Sequence, residues 1–163
     1  MGGKLLGGKE TTRTEADQVV VEFVKQYAEH ITTWQICGSY RRGKARLGDI
    51  DLVVQTSQEK RLLLNMSIQK DYGVPWSHAR KPILINGVQL EVHLCLPEYW
   101  GAMILYATGS GGWNSGLRLK AAERGLKLNR YGLWDGKTRI AGETEEEIFE
   151  ALNEDFVEPE DRR

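Results

Sequence analysis

The chain has 163 residues, 40% of them hydrophobic, and a formal net charge of −1. That length suits one domain or one domain of two lobes, and that apolar share excludes wholesale disorder. The near-neutral total does not exclude a polyanionic partner, because a local patch sets the field such a partner meets. Gly109 to Arg139 carries seven Lys/Arg against two acids, whereas Ile140 to Arg163 carries ten acids against two arginines.

Two cysteines, Cys37 and Cys95, are too few for a disulfide framework and lack metal-ligand spacing, so they read as small buried residues. No apolar run approaches the roughly 20 residues of a membrane span. The opening MGGKLLGGKETTR lacks the apolar core of a signal peptide. The expectation is a soluble protein, cytoplasmic or of the nucleoid or nucleus, with no membrane partner.

Residues 1–11, rich in Gly, Lys and Thr, are expected to be a flexible N-terminus. Thr12 and Glu15 have capping-box spacing, and Ala16, Val19, Val20, Phe23, Val24 and Tyr27 recur at helical intervals, predicting a helix over 13–29. Residues 34–37 read as a short strand ending at Gly38-Ser39, and 50–54 as a buried strand. Ser57 caps the next predicted helix. ILINGVQLEVHLC reads as a hairpin, since Asn86-Gly87 supplies the two positive-φ positions of a type I′ turn. After it Val88, Leu90, Val92 and Leu94 alternate with Gln89, Glu91, His93 and Cys95, which puts core on one face and Glu91 and His93 on the other.

A helix over 98–108 follows, then a glycine-rich break, TGSGGWNSG, and a helix over 114–124 ended by Gly125. A hairpin turning at Asp135-Gly136 and a last helix over 145–153 behind Thr144 complete the order; the acidic tail reads as a solvated helix face. The expected fold is α+β: a mixed-sheet lobe with helices over 12–97, then a small, mostly helical lobe with a hairpin over 98–163. Sites favour the cleft between such lobes.

Asp49 and Asp51 stand two apart on a predicted strand, so both carboxylates leave the same face. Carboxylates that close repel, and a divalent cation such as Mg²⁺ removes the conflict. If the strand bearing Glu91 is a neighbour, three acids result, enough to hold two metals for an in-line phosphoryl displacement. Ahead of them, Gly38 and Ser39 would offer backbone N–H groups and a hydroxyl to a phosphate, and Arg42 a bidentate contact. His93 reads as a partner to a site carboxylate, since Mg²⁺ prefers oxygen. His30 and His78 read as surface histidines. Trp34, Trp76, Trp100, Trp113 and Trp134 read mostly as core, with base stacking left open for Trp113.

GSYRRGKARLGDIDLVV, residues 38–54, resembles the G-S … D-x-D signature of nucleotidyltransferases in the form typical of the X-family DNA polymerases. The resemblance continues, in the same order, through YATGS (106–110), NSGLRLKAAERGLKLNRYGLW and AGETEEEIFEALNEDFVEPEDR, and spans about residues 13–163. It implies a nucleotidyltransferase palm and two Mg²⁺ ions, with Mn²⁺ able to substitute, held by the catalytic acids Asp49, Asp51 and Glu91. Glu91 would also accept the primer 3′-hydroxyl proton. The resemblance implies triphosphate contacts for Gly38, Ser39, Arg42 and Gly48, with Arg13 as a further triphosphate arginine. It implies sugar contacts for Tyr106 and Gly109, a contact to the minor-groove edge of the incoming base for Asn114, and sensing of the templating pair for Arg118. Arg118, Lys120, Arg124 and Lys127 would carry the DNA contact.

The activity implied is that of a monomeric DNA-directed DNA polymerase. It would add dNTPs on primer-template or gapped DNA, in short-gap repair, in the minimal form of the smallest viral members. Neither a lyase domain nor helix-hairpin-helix modules are expected within these 163 residues. Three positions depart from the family pattern: Glu91 stands for the usual Asp, Ala107 for a bulky aromatic near the sugar, and Gly111 for a side chain that packs on the incoming base. A template-independent terminal nucleotidyltransferase on DNA or RNA ends and a catalytically weak nucleotide- or nucleic-acid-binding relative remain the alternatives.

Overall fold

The structure is a computed structural model that describes residues 6–74 and 80–163; Trp76 and His78 lie outside the described residues. In chain order it contains β1 (Thr11–Thr12), α1 (Arg13–Gln26), β2 (Thr33–Ile36), α2 (Gly38–Arg41), β3 (Arg46–Leu47), β4 (Ile50–Gln55), α3 (Gln58–Tyr72), β5 (Arg80–Ile85) and β6 (Val88–Cys95). The second half adds α4 (Trp100–Thr108), α5 (Gly111–Glu123), β7 (Lys127–Asn129), β8 (Gly132–Asp135), β9 (Thr138–Ala141) and α6 (Glu145–Ala151).

The expected capping box opens α1: the Thr12 hydroxyl accepts from Glu15 N–H and the Glu15 carboxylate accepts from Thr12 N–H at 2.9 Å. The Thr12 backbone bond, with a second bond from the Thr11 hydroxyl, holds the Glu15 carboxyl at about 2. Asn86 and Gly87 both have positive φ, as the tight turn between β5 and β6 requires.

The central sheet has the order β2-β4-β6-β5, with β4 and β6 parallel and the outer pairings antiparallel. This mixed sheet with helices agrees with the α+β expectation. Its two faces carry different loads. Leu52, Val54, Leu90, Val92 and Leu94 pack with Val19, Val20 and Phe23 of α1 and Leu64 and Ile68 of α3. On the other face Val53 and Cys95 meet Met103, Ile104 and Ala107 of α4. All eight residues of β6 are therefore buried, polar ones included, where a clean alternation would leave one face wet. A second core joins α4, α5, α6 and the β7-β8-β9 sheet around Leu105, Leu117, Leu133, Ile148 and Phe149.

Several boundaries differ from expectation for identifiable reasons. α5 begins at Gly111 because the Ser110 hydroxyl accepts from Trp113 N–H and caps it, so the glycine-rich stretch is mostly helix. β7 adds a third strand to the expected hairpin, whose turn falls after Asp135, which pairs with Thr138. Residues 6–11 are not loose: Lys9 N–H donates to Gly87 O at 2.9 Å, Thr11 is fully buried, and β1 pairs with β3. Among the described residues no helix is long and apolar enough to cross a membrane.

Candidate active site

The parallel pairing of β4 and β6 sets Asp51 directly beside Glu91. Neighbouring strands lie about 4.8 Å apart, and like charges placed directly opposite destabilise a sheet. Asp49, on the turn entering β4, lines the same cavity, of about 510 Å³. His93, two residues beyond Glu91, is buried with Nε2 3.2 Å from Asp51 Oδ1. One ligand atom from each of Asp51, Glu91 and His93 lies within 4.8 Å of the others. Carboxylates gathered in this way offer the hard oxygen donors that a divalent cation takes. The backbone leaves room for one: Gly38 has φ +58°, and a Cβ there would stand 2.1 Å from Asp51 Oδ2. Any other residue at 38 would fill the approach to that oxygen.

Gly38, Ser39, Arg42 and Gly48 line the cavity beside the acids, and Tyr106, Gly109, Asn114 and Arg118 form the facing wall. Arg42 reaches across, donating to the carbonyl of Thr108. Asn114 Nδ2 donates to Tyr106 O at 2.9 Å, which fixes the start of α5 against the end of α4. Arg118 stays exposed, its guanidinium 3.0 Å from the Ser115 hydroxyl. Ala107 and Gly111 also line this wall, so with Glu91 all three departures lie on the cavity itself.

Residues 9–84 match the DNA polymerase beta palm, and residues 103–163 match the DNA polymerase beta thumb. The chain belongs to the X family of DNA polymerases. Over 170 residues it is 26% identical to repair DNA polymerase X of African swine fever virus (isolate Tick/South Africa/Pretoriuskop Pr4/1996), covering 97% of this chain and 98% of the viral one. It is 35% identical over 74 residues to DNA polymerase IV of Saccharomyces cerevisiae and 37% identical over 80 residues to DNA nucleotidylexotransferase of Eulemur macaco. Those matches span 45% and 47% of this chain but only 13% and 16% of the yeast and lemur proteins. A palm of this family implies divalent-metal use in general, and the acid face described above fits it.

Not every expected site residue of this X-family chain reaches the cavity. Arg13 does not: its guanidinium donates to Tyr40 O at 2.6 Å and Lys44 O at 3.2 Å and lies 3.9 Å from the Tyr40 ring centroid. It braces the loop carrying Arg42 rather than facing a triphosphate. Lys120 and Arg124 turn to the tail, where Glu154 accepts from them at 2.6 and 3.1 Å. Exposed pairs of this kind are worth about 0–1 kcal/mol and yield to salt. Lys127, exposed at the start of β7, lies outside the cavity. Trp113 packs on Phe149, with the Arg162 guanidinium 5.2 Å from its ring, so it belongs to the second core and not to a base.

The acidic tail is also more than a solvated face. Glu145 is buried and accepts from both Arg41 Nη atoms at 2.8 Å and from Arg162 Nη1 at 2.7 Å. Burial alone would raise its carboxyl, but the two guanidiniums outweigh that and hold it below the usual range. Burial pushes the thiols of Cys37 and Cys95 up to about 12, so both are inert, as their small-residue reading requires. Sequence reasoning passed over Gln89, which touches Glu91, and Arg130, whose guanidinium lies 4.8 Å from the Tyr106 ring centroid. The alternation of β6 already placed Gln89 on Glu91's face; only the β7–β8 turn brings Arg130 to Tyr106.

Proposed function

We propose that the chain is a DNA-directed DNA polymerase that extends a primer by one dNTP at a time, filling short gaps during repair. Residues 12–97 form its catalytic palm and 98–163 its nucleotide- and DNA-binding lobe. The observation that carries the reading is the pairing of Asp51 with Glu91, and with Asp49 beside them, across a cavity from Tyr106, Asn114 and Arg118. One wall has the donors for phosphoryl transfer, and the other has groups suited to a sugar and a base pair.

In the reaction the primer 3′-oxygen bonds to the α-phosphorus, the bond to the β-phosphate bridging oxygen breaks, and pyrophosphate leaves. Glu91 accepts the hydroxyl proton. Asp49, Asp51 and Glu91 would hold two Mg²⁺ ions, or Mn²⁺ in their place, which supply Lewis-acid stabilisation of the charge that builds on the phosphoryl oxygens. Gly38, Ser39, Gly48 and Arg42 bind the triphosphate, the last as a bidentate cation. Tyr106 and Gly109 contact the sugar, Asn114 the incoming base and Arg118 the templating pair. The near end-to-end likeness to a viral protein named a repair polymerase supports the gap-filling assignment.

The likeness to a DNA nucleotidylexotransferase favours a second reading, template-independent addition to DNA ends. Single-nucleotide extension with each of the four template bases, on gapped and ungapped DNA and with Asp49→Ala as control, separates the two. The polymerase reading expects incorporation to follow the template and to be stronger at gaps. Equal incorporation opposite every base would sink it.

A further inference from the structure

We infer that Gln89 is a positioning residue for Glu91, and that the N-terminal strap of residues 6–12 acts on the acid centre through it; this rests on Glu91 being the third acid of the reading above. Gln89 is fully buried on the strand face that carries Glu91. Its Nε2 donates to Glu91 Oε1 at 3.2 Å, and its Oε1 accepts from Leu6 N–H at 3.0 Å. A carboxamide has one accepting and one donating end, so its orientation follows from its partners. A backbone N–H can only donate, so Leu6 takes the oxygen and the NH₂ group is obliged to face Glu91.

The strap is built for this contact. Gly8 passes so close that a Cβ there would stand 2.8 Å from Gln89 Cβ and Gln89 N. Lys9 N–H is tied to Gly87 O at 2.9 Å, and β1 is paired with β3. The contact answers a need created by the longer acid. Glutamate reaches one methylene further than aspartate and has one more torsion to fix, which costs more side-chain entropy. An error of about 1 Å in a reacting group can cost ~10²-fold in rate.

The test pairs Gln89→Met, which keeps the volume and removes both hydrogen bonds, with Leu6→Pro, which deletes the strap's donor at an exposed residue. Mn²⁺ alone is titrated by electron paramagnetic resonance, without nucleotide or DNA, and single-nucleotide extension gives kcat and KM. Mn²⁺ affinity is expected to fall several-fold in both variants. kcat is expected to fall at least tenfold in Gln89→Met and less in Leu6→Pro, with KM for the dNTP unchanged within twofold and melting temperature little moved in Leu6→Pro. Mn²⁺ affinity within twofold of wild type in both variants overturns the inference. So does a kcat loss matched by an equal loss of folded protein. If wild type extends no primer, the polymerase reading fails, and the Mn²⁺ titration still decides the role of Gln89.

Discussion

Two buried glutamates divide the work of this molecule. Glu145, 5% exposed, is clasped by Arg41 of α2 and Arg162 of the tail. Glu91, 1% exposed, sits on the sheet next to another carboxylate, Asp51, and touches the neutral amide of Gln89. Removing a carboxylate from water is costly unless its charge is met. At Glu145 the protein meets it with guanidiniums and the charge serves the architecture. On the sheet the carboxylates gather, and a divalent cation is what such a group calls for. Burial alone therefore does not tell what an acid is for; Glu145 meets two guanidiniums, whereas Glu91 lies beside a second carboxylate on the cavity.

Neutralising each glutamate tests this division, and the largest effect is expected at Glu91. Glu91→Gln should lower primer extension by about 10²–10⁴-fold, the usual range for a lost acid–base group, with a melting temperature near wild type. Glu145→Gln should do the reverse. It leaves the buried guanidinium of Arg162 and the partly buried one of Arg41 facing a neutral amide, and breaking a buried pair costs about 3–5 kcal/mol, read as a lowered midpoint in urea, while the folded fraction still extends primers.

The same residue makes a pH prediction. Because the folded Glu145 carboxyl is held below its unfolded value, the unfolded chain binds more protons there, and stability rises with pH. The contribution is complete above the unfolded value of about 4.3 and is lost as pH falls through the folded one. Wild type should lose stability more steeply than Glu145→Gln as pH drops below about 4.3, and parallel curves would assign the acid sensitivity elsewhere.

Smaller effects sharpen the contrast at the cavity wall and the surface. Ala107 lines the cavity where an aromatic ring would limit room at the sugar. Ala107→Phe should raise the preference for deoxyribonucleotides on the order of tenfold, measured as the ratio of kcat/KM for dNTP and NTP; an unchanged ratio removes Ala107 from the specificity argument. Last, Glu154 on the surface holds Lys120 and Arg124 by exposed pairs. Glu154→Gln should tighten DNA binding by no more than the worth of such pairs, about 0–1 kcal/mol, and the gain should vanish at high salt.

The parts that could be read from the chain are those in which a short stretch carries its own geometry. Thr12 and Glu15 must meet across one helical turn, and Asn86-Gly87 must turn tightly, whereas Asp49 falls on the turn before β4 and reaches the cavity from there. What could not be read depends on partners remote in sequence. Glu145 looked like one more acid of a solvated helix because Arg41 is 104 residues away. Residues 6–11 looked loose by composition because Gly8 has its reason in Gln89, far along the chain. Arg13 matches a triphosphate arginine by resemblance, whereas the Tyr40 and Lys44 carbonyls accept from it here. Glu91 is an intermediate case: alternation chose its face, and only the adjacency of β4 and β6 placed it beside Asp51.

That adjacency has a consequence for how the chain finds its fold. A strand slipped by one residue swaps its two faces. Were β6 to slip, Glu91 and His93 would point among the side chains of α1 and α3, and Leu90 and Val92 would point into the cavity. The acids thus act as a proofreader of strand alignment, penalising the wrong pairing by burying charge in hydrocarbon. The residues that give this sheet its chemistry also rule out its nearest misfolded competitor.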